Sequence, residues 1–229
     1  MSTNILVVGD NLQAAKVVSG TLTSRGYDVR TTSEPESAIQ SIRARRPSLI
    51  IAELNASGAD DLAFCRRVRE TANVPLIIVS ASGDHGSEIA ALDSGADDYL
   101  VKPLVAERFL ARVRAALRRT PEEPEAAAMG VGAFHIDFHD HRVRVHGQPV
   151  RLTPKEFDLF VFMAKHPNRV LAHKTLLGAV WGQASEEQSE YLRVFVGQLR
   201  KKLESDPANP RYLLTEPWVG YRFNPMGTA

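Results

Sequence analysis

The sequence contains almost no cysteine and no long apolar run. Cys65 is the only cysteine among 229 residues, so no disulfide can form within the chain, which fits a reducing cytoplasm. Cys65 lies among apolar residues in a helical stretch, which favours a buried thiol over a reactive one. No apolar stretch approaches the ~20 residues that cross a bilayer, and the first residues do not form a signal peptide. We therefore expect a cytoplasmic protein without a membrane partner.

The sequence also lacks a strong excess of either charge. Its net charge is +1, and its hydrophobic content of 44% is ordinary for a globular protein. Residues 130–229 are only mildly basic, so charge alone does not predict nucleic-acid binding. Residues 120–129 combine two prolines with three glutamates, which is typical of an exposed linker. We predict two domains, at residues 1–119 and 130–229, joined by this linker.

Residues 1–119 alternate five short β-branched runs with five helical patterns. This alternation predicts an α/β fold, a flavodoxin-like doubly wound sheet whose ligand crevice lies at the carboxyl ends of the strands. The predicted strands are Ile5–Val8, Asp28–Thr31, Leu49–Ala52, Leu76–Val79 and Tyr99–Val101. Polar side chains follow four of these strands at the expected crevice, and they are Asp10, Glu53, Ser80 and Lys102.

These strand ends resemble the receiver domains of two-component response regulators. The resemblance implies a (βα)5 receiver in which an aspartate after the third strand accepts a phosphoryl group, and here that position holds Glu53. It implies that Ser80 and Lys102 contact the phosphoryl group. It also implies that the rotamer of Tyr99 reports activation and that Pro103 forms a cis peptide turn.

Two exchanges in this pocket argue against phosphorylation. In the family, two adjacent acidic residues and the acceptor aspartate bind Mg²⁺, but this sequence keeps only Asp10 and has Gly9 at the other acidic position. Because Glu53 is also one methylene longer than the acceptor, we expect no magnesium cofactor and no phosphorylation by the usual route. Glu53 either imitates the phosphorylated state by reaching towards Lys102 and Ser80, or is a tolerated carboxylate in a receiver kept for dimerisation.

The resemblance also implies a homodimer formed through the fourth helix, fifth strand and fifth helix. A Lys–Glu pair that is usual there is replaced by Glu88 and Arg108, so both signs are reversed together. The reversal keeps the attraction and repels conventional partners, which favours an interface over a merely solvated helix face. The pairs expected between protomers are Glu88 with Arg108, Asp97 with Arg112, and Asp98 with Arg119.

Residues 130–229 change to alternating strands followed by amphipathic helices. Phe134, Ile136 and Phe138 alternate with polar residues, which predicts an antiparallel sheet. The segment Thr153-Pro154-Lys155-Glu156 predicts a helix start with a capping threonine and a proline in the first turn. Two further helices and a terminal hairpin are predicted at Lys174–Val180, Glu190–Leu203, Tyr212–Thr215 and Tyr221–Phe223.

The helix predicted at Glu190–Leu203 has an apolar stripe and an opposite basic face. A basic face with a glycine gap can approach a major groove, although charge on a helix is usually only solvated. The residues predicted to contact DNA from this helix and from the hairpin are Arg193, Gly197, Arg200, Lys201, Thr215, Trp218, Tyr221 and Arg222.

Four segments of this half resemble the winged-helix domain of OmpR/PhoB-family regulators, and they are residues 152–157, 180–182, 199–203 and 220–223. Residues 191–216 are most similar to Kdp-type, potassium-responsive regulators. The resemblance implies double-stranded DNA as the partner, with direct or inverted half-sites about 10–11 bp apart. It also implies that the loop at Trp181–Glu187 meets RNA polymerase.

We predict a homodimeric, sequence-specific DNA-binding transcription regulator that is not an enzyme, since no nucleophile lies beside an activating base. The alternatives are a ligand-sensing pseudo-receiver and an interaction protein that titrates other regulators. Whether a histidine kinase serves as partner is left open. A metal site is less favoured than exposed histidines at His135, His139, His141 and His146.

Overall fold

The computed structural model describes residues 3–9, 12–54, 59–118, 127–182 and 189–227. The chain divides into two compact units, Met1–Leu117 and Arg118–Ala229. Asp10, Arg119 and most of the predicted linker lie outside the described residues, as does most of the loop at Trp181–Glu187. Within the described ranges, no helix is long and apolar enough to cross a membrane.

The first unit is a parallel five-stranded sheet covered by helices. Its strand order is β2-β1-β3-β4-β5, the order of the predicted flavodoxin-like fold. The strands are β1 Asn4–Val8, β2 Asp28–Thr32, β3 Leu49–Glu53, β4 Leu76–Ser80 and β5 Asp98–Val101. The helices are α1 Leu12–Thr23, α2 Pro35–Ala44, α3 Ala59–Thr71, α4 His85–Asp93 and α5 Ala106–Leu117.

The register of the central strands brings their polar ends to one edge of the sheet. Glu53 pairs with Val79 in the neighbouring strand, and Ser80 pairs with Val101 in the next. Strands β1, β3 and β4 are almost wholly apolar and buried, as expected for a parallel sheet covered on both faces. Burial of these apolar strands stabilises the sheet. The register of the sheet then places the ends of β3, β4 and β5 side by side.

Cys65 lies in α3 and is 0% exposed, as predicted for a buried thiol. Burial raises its pKa from the usual 9.0 to about 12, because the charged thiolate would lose its hydration in the core. The thiol is therefore neutral at physiological pH, and thiolate is the reactive form of cysteine.

Over its described residues, the second unit contains three helices and two antiparallel sheets. The first sheet contains β6 Ala128–Val131, β7 Phe134–Asp137, β8 Arg142–Val145 and β9 Gln148–Val150. Three helices follow, at α6 Pro154–Ala164, α7 His173–Trp181 and α8 Ser189–Leu203. The second sheet has the order β10-β12-β11, with β10 Val170–Ala172, β11 Leu213–Glu216 and β12 Gly220–Phe223.

Two strands of this unit were not predicted from the sequence. Strand β6 begins at Ala128, inside the segment predicted to be a linker, and pairs along its length with β7. Strand β10 has only three residues and pairs with β12 far along the chain. Both strands are defined by their partners rather than by a local pattern, which is why alternation alone missed them.

The predicted start of α6 is confirmed, and it extends into a contact between helices. Thr153 and Glu156 form a reciprocal capping box, and the Glu156 carboxylate also accepts two hydrogen bonds from the Lys202 ammonium group of α8, at 2.5 and 2.7 Å. Glu156 is 1% exposed, so this buried carboxylate holds the end of α8 against the start of α6.

The burial of Cys65 predicts protection from thiol reagents. In native buffer at pH 8, we expect labelling by 5,5′-dithiobis(2-nitrobenzoic acid) to be at least about 100-fold slower than in 6 M guanidinium, because reaction requires opening of the α3 core. Absorbance of the released thiolate checks this. Equal rates in the two buffers would contradict the buried position.

Candidate functional site

The carboxylate of Glu53 and the ammonium group of Lys102 form an ion pair at the edge of the receiver sheet. Glu53 ends β3 and Lys102 follows β5, so β4 lies between them. Their side chains are only 15% and 25% exposed, which screens the pair less than a surface pair. The predicted approach of Glu53 to Lys102 is thus present in the structure.

Gly9 leaves the space that the longer Glu53 side chain occupies. A Cβ atom built on Gly9 would lie 3.0 Å from Cβ and 3.5 Å from Oε2 of Glu53. A carboxylate at position 9 would therefore meet the Glu53 carboxylate at close range and with the same charge. The two exchanges noted in the sequence are therefore neighbours in the structure, with the Glu53 side chain beside the position that has lost its acidic side chain.

The hydroxyl groups of Ser80 and Tyr99 organise the segment after β4. Ser80 is fully buried, and its Oγ atom accepts a hydrogen bond from the backbone N–H of Ser82 at 3.1 Å. The Tyr99 hydroxyl donates to the carbonyl of Ser82 at 2.9 Å, and burial raises the pKa of Tyr99. Tyr99 is 3% exposed, so its ring is turned into the protein. The Lys102–Pro103 peptide bond is cis, as the resemblance implied.

Two of the positions at which the resemblance implies Mg²⁺ ligands, 9 and 53, lie among the described residues of this pocket. Gly9 has no side-chain oxygen, and the Glu53 carboxylate is paired with Lys102. In the part of the chain that the structure describes, no group of three or more His, Cys, Asp or Glu side chains is placed to hold a metal ion. Asp10, the remaining predicted ligand, lies outside these residues.

Two of the four histidines considered as metal ligands contact aromatic side chains within the second unit. His141 stacks on Phe157 with ring centroids 4.6 Å apart, and a ring nitrogen of His146 lies 2.8 Å from the hydroxyl of Tyr212. His135 is exposed on β7. Over the described residues they form no metal-binding cluster.

The structure corrects the assignment of Asp97 to a dimer interface. Asp97 is 0% exposed, forms an ion pair with Arg69 of α3 and accepts a hydrogen bond from the backbone N–H of Leu76 at 2.8 Å. A side chain that is buried within its own protomer does not reach a partner. Arg69 also donates to the carbonyl of Gly95 at 2.6 Å. Together these contacts hold the segment between α4 and β5 against α3.

The pairing expected for Arg112 and Asp98 is also different. Arg112 was expected to face Asp97 and Asp98 to face Arg119, but Nη1 of Arg112 lies 3.4 Å from Oδ2 of Asp98 in the same chain. Both side chains are about 5% exposed or less. Arg119 lies outside the described residues. The length and the burial of the side chains determine which residues pair. Neither can be read from the sequence alone.

Glu88 and Arg108 remain at the surface, where a partner could contact them. The Glu88 side chain is 22% exposed and its Oε2 atom lies 3.3 Å from a ring nitrogen of His85. Arg108 is exposed on α5. Nearby apolar side chains are exposed as well, with Val101 at 43% and Val105 at 65%.

Helix α8 presents the predicted basic face. Arg193 is exposed and pairs with Glu190 at 2.5 Å, one turn away in the helix. Lys201 is exposed, and no atom lies within 4 Å of the position where Gly197 would carry a Cβ. Arg193, Gly197 and Lys201 are therefore accessible, as a surface for a polyanion requires.

Arg200, which was predicted to contact DNA, also makes contacts within its own chain. Its guanidinium group donates to the carbonyl of Leu213 at 2.6 and 2.9 Å and to the hydroxyl of Thr215 at 2.8 Å. It also lies 6.0 Å from the ring centroid of Tyr221, and burial lowers its pKa. Arg200 thus fastens α8 to the hairpin formed by β11 and β12, which we call the wing.

The predicted wing residues divide into supporting and exposed side chains. Tyr221 is 6% exposed, so its ring supports the wing from inside. Arg222 pairs with Glu216 across the wing at 2.7 Å. Thr215 is exposed, and Trp218 is 100% exposed at the tip.

Sequence reasoning missed three partners of these residues: Gly9 as the space beside Glu53, Arg69 as the partner of Asp97, and Glu216 as the partner of Arg222. The exchange to glycine at position 9 was visible in the sequence, but only as a lost ligand. Arg69 and Asp97 are far apart in sequence, and no local pattern connects them.

Comparisons with known proteins agree with this architecture. The family model described as "Response regulator receiver domain" matches residues 5–114, and that described as "Transcriptional regulatory protein, C terminal" matches residues 147–223. The DNA-binding response regulator MtrA of Mycolicibacterium smegmatis is 36% identical over 225 residues, which cover 98% of this chain and 98% of MtrA. The chain belongs to the OmpR/PhoB family of response regulators. It is a DNA-binding transcriptional response regulator of the two-component type.

A second relative of this OmpR/PhoB-family chain is the transcriptional regulatory protein KdpE of Mycobacterium tuberculosis (strain ATCC 25618 / H37Rv). It is 36% identical over 223 residues, which cover 96% of this chain and 99% of KdpE. The identity equals that of MtrA, so KdpE is among the relatives but is not set apart by identity. A solved structure of a RitR mutant has a TM-score of 0.78 at 24% identity, over 97% of this chain and 99% of that one, and shows the fold alone.

The internal ion pair of Asp97 predicts a large effect on stability. Replacing Asp97 by alanine leaves Arg69 without its partner and the Leu76 N–H without its acceptor, so we expect a loss of about 3–5 kcal/mol. Guanidinium unfolding of the receiver transition, followed by circular dichroism, measures it.

The control is Glu70→Ala, since Glu70 is exposed near the end of the same helix, α3. We expect that variant to stay within about 0.5 kcal/mol of the unmodified protein. An unfolding midpoint for Asp97→Ala that equals the control would contradict the buried pair.

Proposed function

We propose that this OmpR/PhoB-family regulator binds its DNA sites sequence-specifically without aspartyl phosphorylation, as a homodimer assembled through the receiver. The observation that carries the proposal is the Glu53–Lys102 ion pair above Gly9. In related receivers the lysine pairs with a phosphoryl group. Here Lys102 has a carboxylate partner that belongs to the chain itself.

Chemistry at this pocket also argues against phosphoryl transfer. Proteins catalyse that reaction mainly by positioning the groups and by neutralising charge with metal ions. With Gly9 the pocket has lost one metal ligand, and the remaining carboxylate is displaced by one methylene and engaged by Lys102. A phosphoryl donor would therefore meet neither the metal nor a free acceptor oxygen in the usual place.

The segment after β4 supports an active-like receiver. Ser80 and Tyr99 both hold Ser82 through hydrogen bonds, and the Tyr99 ring is buried. This arrangement needs no bound phosphoryl group in the structure. It fits the interpretation that Glu53 stands in for the charge of a phosphate, although a carboxylate carries less charge and fewer acceptor oxygens than a phosphate.

A ligand-sensing receiver is less well supported. That alternative needs an open acidic pocket, whereas the Glu53 side chain fills the space beside Gly9 and is paired with Lys102. The titrating interaction protein is less well supported too, because α8 keeps an exposed basic surface at Arg193 and Lys201. Contacts with RNA polymerase through the loop before α8, and a histidine kinase partner, remain predictions of the family resemblance.

The first test is phosphotransfer from acetyl phosphate with Mg²⁺, read by intact mass. We expect no phosphoryl adduct on the unmodified protein or on Gly9→Asp, where the new carboxylate would face Glu53. The double variant Gly9→Asp with Glu53→Asp shortens one side chain as it adds the other, so we expect an adduct that depends on Mg²⁺. Stoichiometric labelling of the unmodified protein would refute phosphorylation independence.

DNA binding is measured in parallel on the untreated protein, using duplexes selected from a random pool. We expect specific binding without acetyl phosphate and weaker binding by Glu53→Gln, which keeps the shape of the side chain but removes its charge. Unchanged binding by Glu53→Gln would count against imitation of phosphate and leave Glu53 as a tolerated carboxylate.

The proposed dimer now rests on Glu88, Arg108 and the exposed valines Val101 and Val105. Apolar side chains bordered by opposite charges are the usual composition of such an interface. Because Asp97, Asp98 and Arg112 are engaged inside the protomer, the reversed pair carries the charge complementarity. Two copies would place two α8 helices on neighbouring half-sites.

Charge exchange tests this interface. Arg108→Glu would place a carboxylate opposite Glu88 of the partner subunit, and we expect the dimer dissociation constant to rise about tenfold or more. Combining it with Glu88→Arg restores opposite signs and should recover the dimer. Sedimentation equilibrium measures the dissociation constants of both variants.

Arg114→Glu, an equal change of charge at an exposed position of α5, is the matched control and should have little effect on the dimer dissociation constant. Failure of the double variant to recover would remove the pair from the interface.

A further inference from the structure

The tip of the wing is a tight turn that contains Trp218 at a position where glycine or asparagine is usual. Residues Glu216 to Val219 connect β11 to β12, and the N–H of Val219 donates to the carbonyl of Glu216 at 3.1 Å. Pro217 is the second residue of this turn, and Trp218 is the third, with φ of 67°. A turn with proline second and a positive φ third is the kind that takes glycine or asparagine at the third position.

Neither the turn nor the core explains a tryptophan at this position. A positive φ is unfavourable for a bulky side chain, because its Cβ approaches the following carbonyl. No burial offsets this cost, since Trp218 is 100% exposed. The other tryptophan, Trp181, is 2% exposed in the core of the same unit. Strained backbone conformations persist where they serve a function.

The base of the wing is held firmly, so the ring projects from a fixed position. A Cβ on Gly220 would lie 1.9 Å from the carbonyl oxygen of Leu171, which shows how closely β12 approaches β10. The N–H of His173, at the start of α7, donates to the carbonyl of Val219 at 3.2 Å. An exposed ring on a fixed base loses little conformational freedom when it binds.

The wing is joined to α8, which carries exposed basic side chains at Arg193 and Lys201. Arg200 joins α8 to the wing through Leu213 and Thr215. Arg222 on β12 pairs with Glu216, and Arg193 on α8 pairs with Glu190 but remains exposed. An exposed aromatic ring on a hairpin joined to a basic helix suits a polyanion with flat apolar faces, and nucleic acid has both properties. An apolar protein surface would satisfy the ring but not the cations.

We propose that Trp218 is an aromatic wedge that packs against the bases of the DNA bound by α8. The proposal rests on the DNA binding proposed above and adds how the wing contributes to it. The wedge supplies affinity by stacking, which tolerates any base, so that selection among sequences stays with α8. The chain gives up some folding stability at the turn to hold the ring in this place.

Tryptophan fluorescence tests the wedge directly in the full-length protein. Because Trp181 is buried, collisional quenching by acrylamide reports mainly Trp218. The probe is a 30-bp duplex of random sequence at low salt, and heparin is the matched polyanion without bases. We expect duplex DNA to quench Trp218 and to protect it from acrylamide, and heparin to do neither at equal saturation.

Variants separate stacking from backbone strain. Trp218→Gly suits the positive φ, so we expect its Tm to rise by about 2–4 °C while its affinity for the duplex falls about tenfold. Trp218→Phe should keep most of the affinity.

The salt dependence of binding separates the ring from the cations. Trp218 carries no charge, so its removal should leave the slope of log affinity against log salt unchanged, whereas Arg193→Ala should reduce that slope by about one. Val219→Ala, a change in an exposed neighbour, is the control and should stay within about twofold.

The outcomes distinguish the two proposals. If the unmodified protein binds the duplex but Trp218 stays accessible and Trp218→Gly binds equally well, the wedge is refuted and the proposed DNA-binding mode survives without it. If the unmodified protein binds neither this duplex nor the duplexes selected from the random pool, both proposals fail. Quenching by heparin equal to that by DNA would also refute stacking on bases.

Discussion

The pocket of the receiver depends on one ion pair, between Glu53 and Lys102, formed where three strand ends meet. Opposite charges at a partly buried position attract strongly because little water screens them. Gly9, which follows β1, lies beside this carboxylate and adds no side chain of its own to the pocket. Under the proposed function, the negative charge that a phosphoryl group brings to other receivers is part of the polypeptide in this chain.

Much of the fold follows from the sequence for simple physical reasons. The strands β1, β3 and β4 are continuous apolar runs because they are buried on both faces, and the start of α6 carries its own capping signals. Short strands such as β10 exist only through pairing with distant residues. Local pattern predicts elements that are stable by themselves, and it misses those that a partner stabilises.

The candidate sites show the same limit. The approach of Glu53 to Lys102 was predictable, since both residues end parallel strands. The burial of Asp97 against Arg69, and the attachment of Arg200 to the wing, were not predictable. A long side chain on a helix can point to solvent or to a neighbouring element, and only the packing decides which. Basic residues on an amphipathic helix are thus a set of candidates, of which some are structural.

The Glu53 carboxylate has a consequence for timing under the proposed function. An aspartyl phosphate hydrolyses, and that lifetime lets a conventional regulator return to rest after a signal ends. The glutamate side chain is part of the chain and is not lost by hydrolysis on any regulatory timescale. The active-like state therefore does not decay by itself. The activity of such a regulator then depends only on the amount of protein present, and it lasts until the protein is degraded.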